Sequence, residues 1–391
     1  MKRAPISDIL WLFSGTRLLL IAVTYFSYIL FPVPPHLYPN TGVDVAGLLT
    51  SWDHWDASRF IDVAQFGYQD ITYTPFFPLF PLLIKGIAWL CGDQGFLAIG
   101  MIVSNAALLG ALLVIYQLAT DAMGEQVGRR TLLYLCIFPT AFFFFAAYNE
   151  SLFLLLTSAT FLAIRRQKWW LAGLLGLLAA LTRSAGALLA LPYLYEVWNT
   201  RLLPATPREP VRFWQQVRNL FPRAVPVLLL PLGTLGYCLY CWFVSGDPLA
   251  FAQIQSNWGR VTTWPWTGTV NALIELFYVQ PFGSFIEAHI LLDLAATLGF
   301  SALAVISWRK LRPSYALWIS LLVLYMLSSP ALNQHDTLQS TQRFVLEMFP
   351  GFLILAVFSL KHPRLHQACL LAFPALQAVM AALFVLNRWM V

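Results

Sequence analysis

Charge is scarce in this chain. Of its 391 residues only 11% are Asp, Glu, Lys or Arg, while 59% are hydrophobic. Soluble domains carry about a quarter charged residues, so a water-facing globular surface is excluded for most of the length. Cysteine is sparse as well. Cys91, Cys136 and Cys369 stand alone, and Cys238 and Cys241 form a C-x-x-C inside a leucine-rich run without partner ligands. That pair reads as buried packing sulfur, not as a redox or zinc motif. No metal-ligand cluster of Cys and His occurs, nor a glycine-rich phosphate loop or nucleotide-binding βαβ pattern. No metal and no cofactor is therefore expected, and a nucleotide sugar has no soluble domain to receive it. The formal net charge of +6 comes without the aromatic-basic patch of a nucleic-acid groove, which removes nucleic acid as a partner.

What the chain has in abundance is apolar sequence in runs of spanning length. These predict an all-α polytopic membrane protein, a single domain over residues 1–391. The first run, residues 9–31, follows Met1-Lys2-Arg3. It is too long for a signal-peptide core and lacks a small-residue cleavage site, so it reads as a retained span. Further spans are expected at about 96–119, 131–147, 152–164, 169–182, 187–198, 225–243, 286–308, 315–328, 344–360 and 367–386. That gives eleven membrane-embedded helices, amino end inside and carboxyl end outside. Residues 76–90 are short, contain Pro78, Pro81 and Lys85, and read as a helix lying along the outer interface.

Arg183-Ser184-Ala185-Gly186 is expected to turn a helical hairpin, because a single span over 169–198 would throw the Arg-rich stretch 201–223 outside. With the hairpin, 17 of the 24 Lys and Arg fall inside, as the positive-inside bias demands. Arg17 lies within the first span. Only Arg59, Lys85, Arg183, Arg260, Arg343 and Arg388 remain outside. The inner stretch 201–223 suits anionic lipid headgroups, and Trp258, Trp264 and Trp266 in the outer loop 245–285 suit the membrane interface.

Against this background one stretch stands out: Trp52-Asp53-His54-Trp55-Asp56-Ala57-Ser58-Arg59-Phe60. Unpaired charge is expensive near hydrocarbon. On a helix, Asp53 and Asp56 share a side, and Arg59 follows one turn on. A carboxylate beside apolar walls can accept a proton from a hydroxyl. Cations nearby neutralise charge on a departing phosphate oxygen. From spacing alone, the plainer account of a solvated interfacial helix with weak salt bridges carries more weight.

Other outer features shift that balance. Tyr148-Asn149-Glu150-Ser151 puts a carboxylate between two apolar runs, and Arg183 sits at the hairpin tip. Arg343 starts another span after Asn333-Gln334-His335-Asp336. Arg59, Lys85, Arg183 and Arg343 all lie near membrane level, and a lipid-borne phosphate explains them together. Asp53 and Glu150 are possible second carboxylates. His54, Tyr148, Asn149 and His335 are weaker substrate-binding candidates.

At these residues the chain resembles the glycosylphosphatidylinositol mannosyltransferase class V (PIG-V) family. The likeness runs through Trp55-Asp56-Ala57, Gly67-Tyr68, Phe76-Phe77-Pro78-Leu79-Phe80-Pro81, Phe138-Pro139 and Tyr148-Asn149-Glu150-Ser151-Leu152-Phe153. It continues in Thr182-Arg183-Ser184-Ala185-Gly186 and in Arg343-Phe344 with Phe349-Pro350. The resemblance implies a membrane glycosyltransferase of the C superfold that takes mannose, or a related hexose, from a polyprenyl- or dolichyl-phosphate donor on the extracytoplasmic or lumenal face. The family's base maps to Asp56, with Asp53 a nearby alternative. The chain departs from the family at Arg59, where histidine is common, and at Ala185, where asparagine is common. The acceptor, a glycolipid or glycan, is thereby left open.

The expectation is an inverting mannosyltransferase with Asp56 as base and Arg59, Lys85, Arg183 and Arg343 on the donor phosphate. Glu150 is expected to orient acceptor or sugar. A polytopic lipid or solute transporter is the main rival, and a non-catalytic assembly subunit the second. Short loops and the absence of a retrieval signal lean towards a prokaryotic plasma membrane, with the endoplasmic reticulum membrane as the eukaryotic counterpart.

Overall fold

The computed structural model describes residues 6–31, 44–200, 218 and 220–388. Lys2, Arg3, Arg201, Arg208 and Arg212, all expected inside, lie outside the described residues, as does part of the first outer loop. Among the described residues all regular structure is helical, without a β-strand. Five helices are long and apolar enough to cross a membrane: α1 (Ile6–Leu30), α5 (Phe96–Met123), the run Leu220–Ser245 that ends in α10 (Leu229–Ser245), α13 (Phe285–Lys310) and α17 (Pro363–Val385). The protein is an integral membrane protein.

Several expected spans are broken, so the count of eleven is not reproduced. Residues 131–147 do not form one helix: α6 (Glu125–Ile137) stops at Phe138, whose ψ of 144° is extended. The following Pro139 forces that conformation, since its ring excludes the α region from the residue before it. Ala141–Phe144 then make a 3-10 turn buried inside the bundle. Residues 344–360 break in the same way. A short helix, α15 (Thr341–Phe344), runs through a 3-10 turn to Glu347, and α16 (Phe349–Lys361) departs at 85°. Pro350 occupies the first turn of α16, where its missing N–H leaves no hydrogen bond unmade.

The hairpin between residues 169 and 198 is geometric fact. α8 (Trp169–Thr182) ends where Arg183 turns extended, a 3-10 segment Ser184–Leu189 follows, and α9 (Ala190–Asn199) runs back. The Tyr193 hydroxyl donates to the Trp169 carbonyl at 3.1 Å, bringing the end of the hairpin beside its start. A Cβ on Gly186 would stand 2.4 Å from the backbone of Ala179. Only glycine permits that approach.

The bundle has two chemically distinct ends. At one, Arg129 meets Asp8 at 2.6 Å and Arg130 donates to Ser359 at 3.0 Å. Arg165 closes α7 (Glu150–Arg165). Sixteen residues rise about 24 Å, so Glu150, at the other end of α7, marks the opposite end of the bundle.

Candidate active site

Asp56 opens α3 (Asp56–Phe66), and the residue before it, Trp55, adopts φ 57°. A non-glycine residue in that region is strained and marks a site the surrounding structure over-determines. The break falls between Asp53 and Asp56, so the helical spacing expected to align the two carboxylates does not apply. α3 buries Ala57, Phe60, Ile61 and Ala64, and Phe60 packs edge-on to Phe76, Phe80 and Tyr148. Trp52 anchors the approach: its indole N–H donates to Thr24 Oγ1 of α1 at 3.2 Å.

Glu150 opens α7 just as Asp56 opens α3. Both carboxylates thus sit at a helix amino end, where the helix dipole favours negative charge. Arg343 joins them. Its Nη1 lies 2.6 Å from Asp56 Oδ2 and its Nε lies 3.5 Å from Glu150 Oε1. Arg183 Nη1 meets Glu150 Oε1 at 3.1 Å and also pairs with Glu347. The Asp56 side chain is 33% exposed, whereas Glu150 is 2% and Glu347 5% exposed. Asp56 is therefore the carboxylate presented to solvent, and the others are buried behind it.

The backbone that carries Arg343 is itself pinned. Ser340, just before α15, has φ 72°. Asp293 of α13, fully buried, accepts from the Gln342 N–H at 2.8 Å and the Thr341 hydroxyl at 2.9 Å. Asp336 packs beside it, and burial raises the Asp336 carboxyl above its ordinary range. The guanidinium of Arg343 then lies over three rings, those of Phe143, Tyr148 and Phe344, at 5.3–5.6 Å. The strained turn, the carboxylate clamp and the ring cage leave Arg343 little freedom.

These side chains line a cavity of about 450 Å³. Of the residues named from the sequence, Asp56, Tyr148, Asn149, Glu150, Arg183 and Arg343 all reach it. Asn149 accepts from Arg183 at 3.4 Å and donates to the Thr182 carbonyl at 2.9 Å, tying α7 to the hairpin tip.

Five expected residues do not line it. Arg59 is exposed and lies 5.1 Å over the Tyr73 ring. Lys85 is exposed on α4 (Leu79–Leu90), because Phe80, Ile84 and Ala88 claim the buried face. His335 is 67% exposed and sits 3.6 Å from Glu275. Asp53 and His54 precede the helix break, and the His54 ring packs behind Phe384, which itself lines the cavity.

The cavity also holds residues that sequence reading passed over. Glu347 lies in the run 344–360 that hydropathy reads as one span, although a lone carboxylate among Val345, Leu346 and Met348 is itself a functional signal. Arg260, from the outer loop 245–285, and Gln339, from the loop between the expected spans 315–328 and 344–360, meet only in the fold: Arg260 donates to the carbonyls of Ser329 and Gln339, each at 3.0 Å.

The sequence has known relatives. The chain is 37% identical over 164 residues to GPI alpha-1,6-mannosyltransferase 2 of Mus musculus and 34% identical over 165 residues to the Homo sapiens protein of that name. Each match covers 39% of this chain and 33% of the relative, so the likeness spans about a third of those proteins. GPI mannosyltransferase 2 of Schizosaccharomyces pombe is 24% identical over 249 residues, covering 60% of this chain and 53% of that one. None of these relatives supports the expected prokaryotic membrane. Among solved structures, the apo oligosaccharyltransferase of Archaeoglobus fulgidus matches 97% of this chain and 56% of its own, at 13% identity and a TM-score of 0.45. The model of the mannosyltransferase (PIG-V) family matches residues 40–244, more than half of the sequence, and the chain belongs to that family.

Proposed function

We propose that the protein transfers mannose, or a related hexose, from a polyprenyl- or dolichyl-phosphate donor to a hydroxyl of a glycolipid or glycan, with inversion, on the extracytoplasmic or lumenal face. The observation that carries this reading is the partly exposed Asp56 carboxylate, held through Oδ2 by a buried arginine at the wall of a cavity. The positive-inside bias supports the choice of face, since the cavity opens at the end opposite Arg129, Arg130 and Arg165.

Asp56 takes the proton of the acceptor hydroxyl as its oxygen attacks the anomeric carbon. The bond from that carbon to the phosphate oxygen breaks, and polyprenyl phosphate leaves with the electron pair. Arg343 orients Asp56, and Glu150 holds Arg343 and Arg183 in place. The family match favours this over a transporter, as does the gathering of the site's charges at one end of the bundle; transporter sites lie near the midplane.

The test uses the full chain in liposomes with radiolabelled polyprenyl-phosphate mannose and candidate lipid acceptors. The unaltered protein is expected to form a labelled glycolipid, and Asp56→Asn to fold without forming it. Full transfer by Asp56→Asn would remove Asp56 as the base.

A further inference from the structure

Three guanidinium groups surround one aromatic ring. Arg183, Arg260 and Arg343 each lie 5.2–5.3 Å from the centroid of Phe344. A ring face attracts each cation, but the cations repel one another unless anions stand among them. Two of them have such anions. Arg183 pairs with Glu150 and Glu347, and Arg343 with Asp56 and Glu150. Arg260 makes no ion pair among the described residues. Its Nη1 and Nη2 donate to the main-chain carbonyls of Ser329 and Gln339.

Carbonyl oxygens satisfy donors but leave a full positive charge uncompensated, and a guanidinium has five N–H donors to share. Burial and the neighbouring Arg343 push the Arg260 guanidinium down to about 10, so it remains a cation at neutral pH, in a setting that disfavours one. Asp293 and Asp56 attract it from a distance, but neither forms an ion pair with it. The paired network holds at least as many carboxylates as arginines and offers no net positive charge. Arg260 is thus the cavity's cation held by carbonyls alone, whereas Asp56 belongs to the paired network. Gln255, Trp258 and Thr262, from the same segment as Arg260, line its side.

We infer that Arg260, and not Arg183 or Arg343, grips the phosphate of the lipid-linked donor. The inference rests on the glycosyl-transfer reading and orients its substrates. The phosphodiester carries one negative charge and meets one unpaired cation. The sugar then extends towards the Asp56 wall, where the acceptor hydroxyl arrives. As the bond to the anomeric carbon breaks, the phosphate gains a second negative charge, and the fixed guanidinium stabilises it without reorganising. Arg183 and Arg343 serve instead to position the carboxylates.

The experiment measures binding of dodecyl phosphate and of dodecanol to the full chain in nanodiscs. Arg260→Gln is expected to weaken dodecyl phosphate about tenfold or more, as loss of a charge-assisted hydrogen bond implies, while dodecanol is unchanged. Arg260→Lys keeps the charge but cannot span both carbonyls, and is expected to retain most of the phosphate preference. A loss equal in both variants assigns Arg260 a structural clamp and overturns the inference, as does unchanged phosphate binding in Arg260→Gln. A measurement on the unaltered protein is independent of folding in the variants: dodecyl phosphate should shield Arg260 from phenylglyoxal, read by mass spectrometry, and dodecanol should not. Shielding of Arg343 or Arg183 in its place refutes the assignment. If the unaltered protein shows no preference for the phosphate over the alcohol, the lipid-phosphate donor itself is refuted, an outcome distinct from failure of Arg260 alone.

Discussion

Arg129 reaches Asp8 at one end of the bundle and Arg343 reaches Asp56 at the other, each across 2.6 Å. The first pair is half exposed, with side chains 52% and 46% accessible. In the second, Arg343 is 12% accessible, shares Glu150 with Arg183, and lies over three aromatic rings. Equal distances therefore conceal unequal roles. Water can replace either partner of the exposed pair, so its geometry records orientation in the membrane more than stability. In the second pair Asp56 reaches solvent but Arg343 hardly does, so the guanidinium has no such substitute. Removing a carboxylate there takes an ion-pair partner from a guanidinium that water hardly reaches.

The largest expected effect breaks the chemistry while sparing the fold. Asp56→Asn keeps the shape beside Arg343 but cannot accept a proton. The initial rate of labelled-mannose transfer is expected to fall by about 10²–10⁴-fold, the range for loss of a general base. Next comes the buried end's support. Glu150→Ala removes a carboxylate shared by two arginines and is expected to destabilise the protein by about 3–5 kcal/mol, the loss of two charge-assisted contacts at about 1.5–3 kcal/mol each, with Arg183 keeping Glu347 and Arg343 keeping Asp56. Thermal unfolding in detergent checks it. An unchanged midpoint would mean that the buried end is as well solvated as the exposed one. A smaller loss, about 1–3 kcal/mol, is expected for Gly186→Ala, because the new Cβ must move the backbone at Ala179.

Much of the buried end was legible in the sequence, because an ionisable residue interrupting apolar runs signals its own exception. Glu150 between Ala147 and Leu152, Arg183 after Thr182, and Arg343 before Phe344 are such cases, and all three converge. What sequence could not supply was the direction each side chain faces. Arg59 and Lys85 had the right sign and depth, but α3 and α4 spend their inner faces on Phe60, Ile61, Phe80 and Ile84. The charges were left to point away. Asp53 failed for a local reason, since Trp55 ends helical spacing one residue before Asp56. Arg260 meets Gln339 across 79 positions of sequence, a pairing that only tertiary structure creates. The helix breaks at Pro139 and Pro350 were visible as prolines, yet hydropathy reads straight through them.

Small effects sharpen the comparison from the other side. Lys85→Gln and Arg59→Gln remove cations at the level of the site but outside its cavity. Each should leave the transfer rate within about twofold, as exposed substitutions usually do. A large loss in either would mean that the cavity closes over α3 or α4 when substrate is bound.

The smallest effect belongs to Arg129→Ala, at the exposed end. Arg129 pairs with Asp8 at 2.6 Å and with Glu125 at 2.9 Å, one partner on a neighbouring helix and one on its own. Two short ion pairs would promise a large penalty if distance set the value. Both partners are well exposed, so water takes over their hydration when the guanidinium goes, and salt already screens the attraction. Transfer rate and unfolding midpoint are both expected to stay where they are. A clear drop in transfer with an unchanged midpoint would show that the two ends communicate through α1 and α6, and the contrast between them would have to be redrawn.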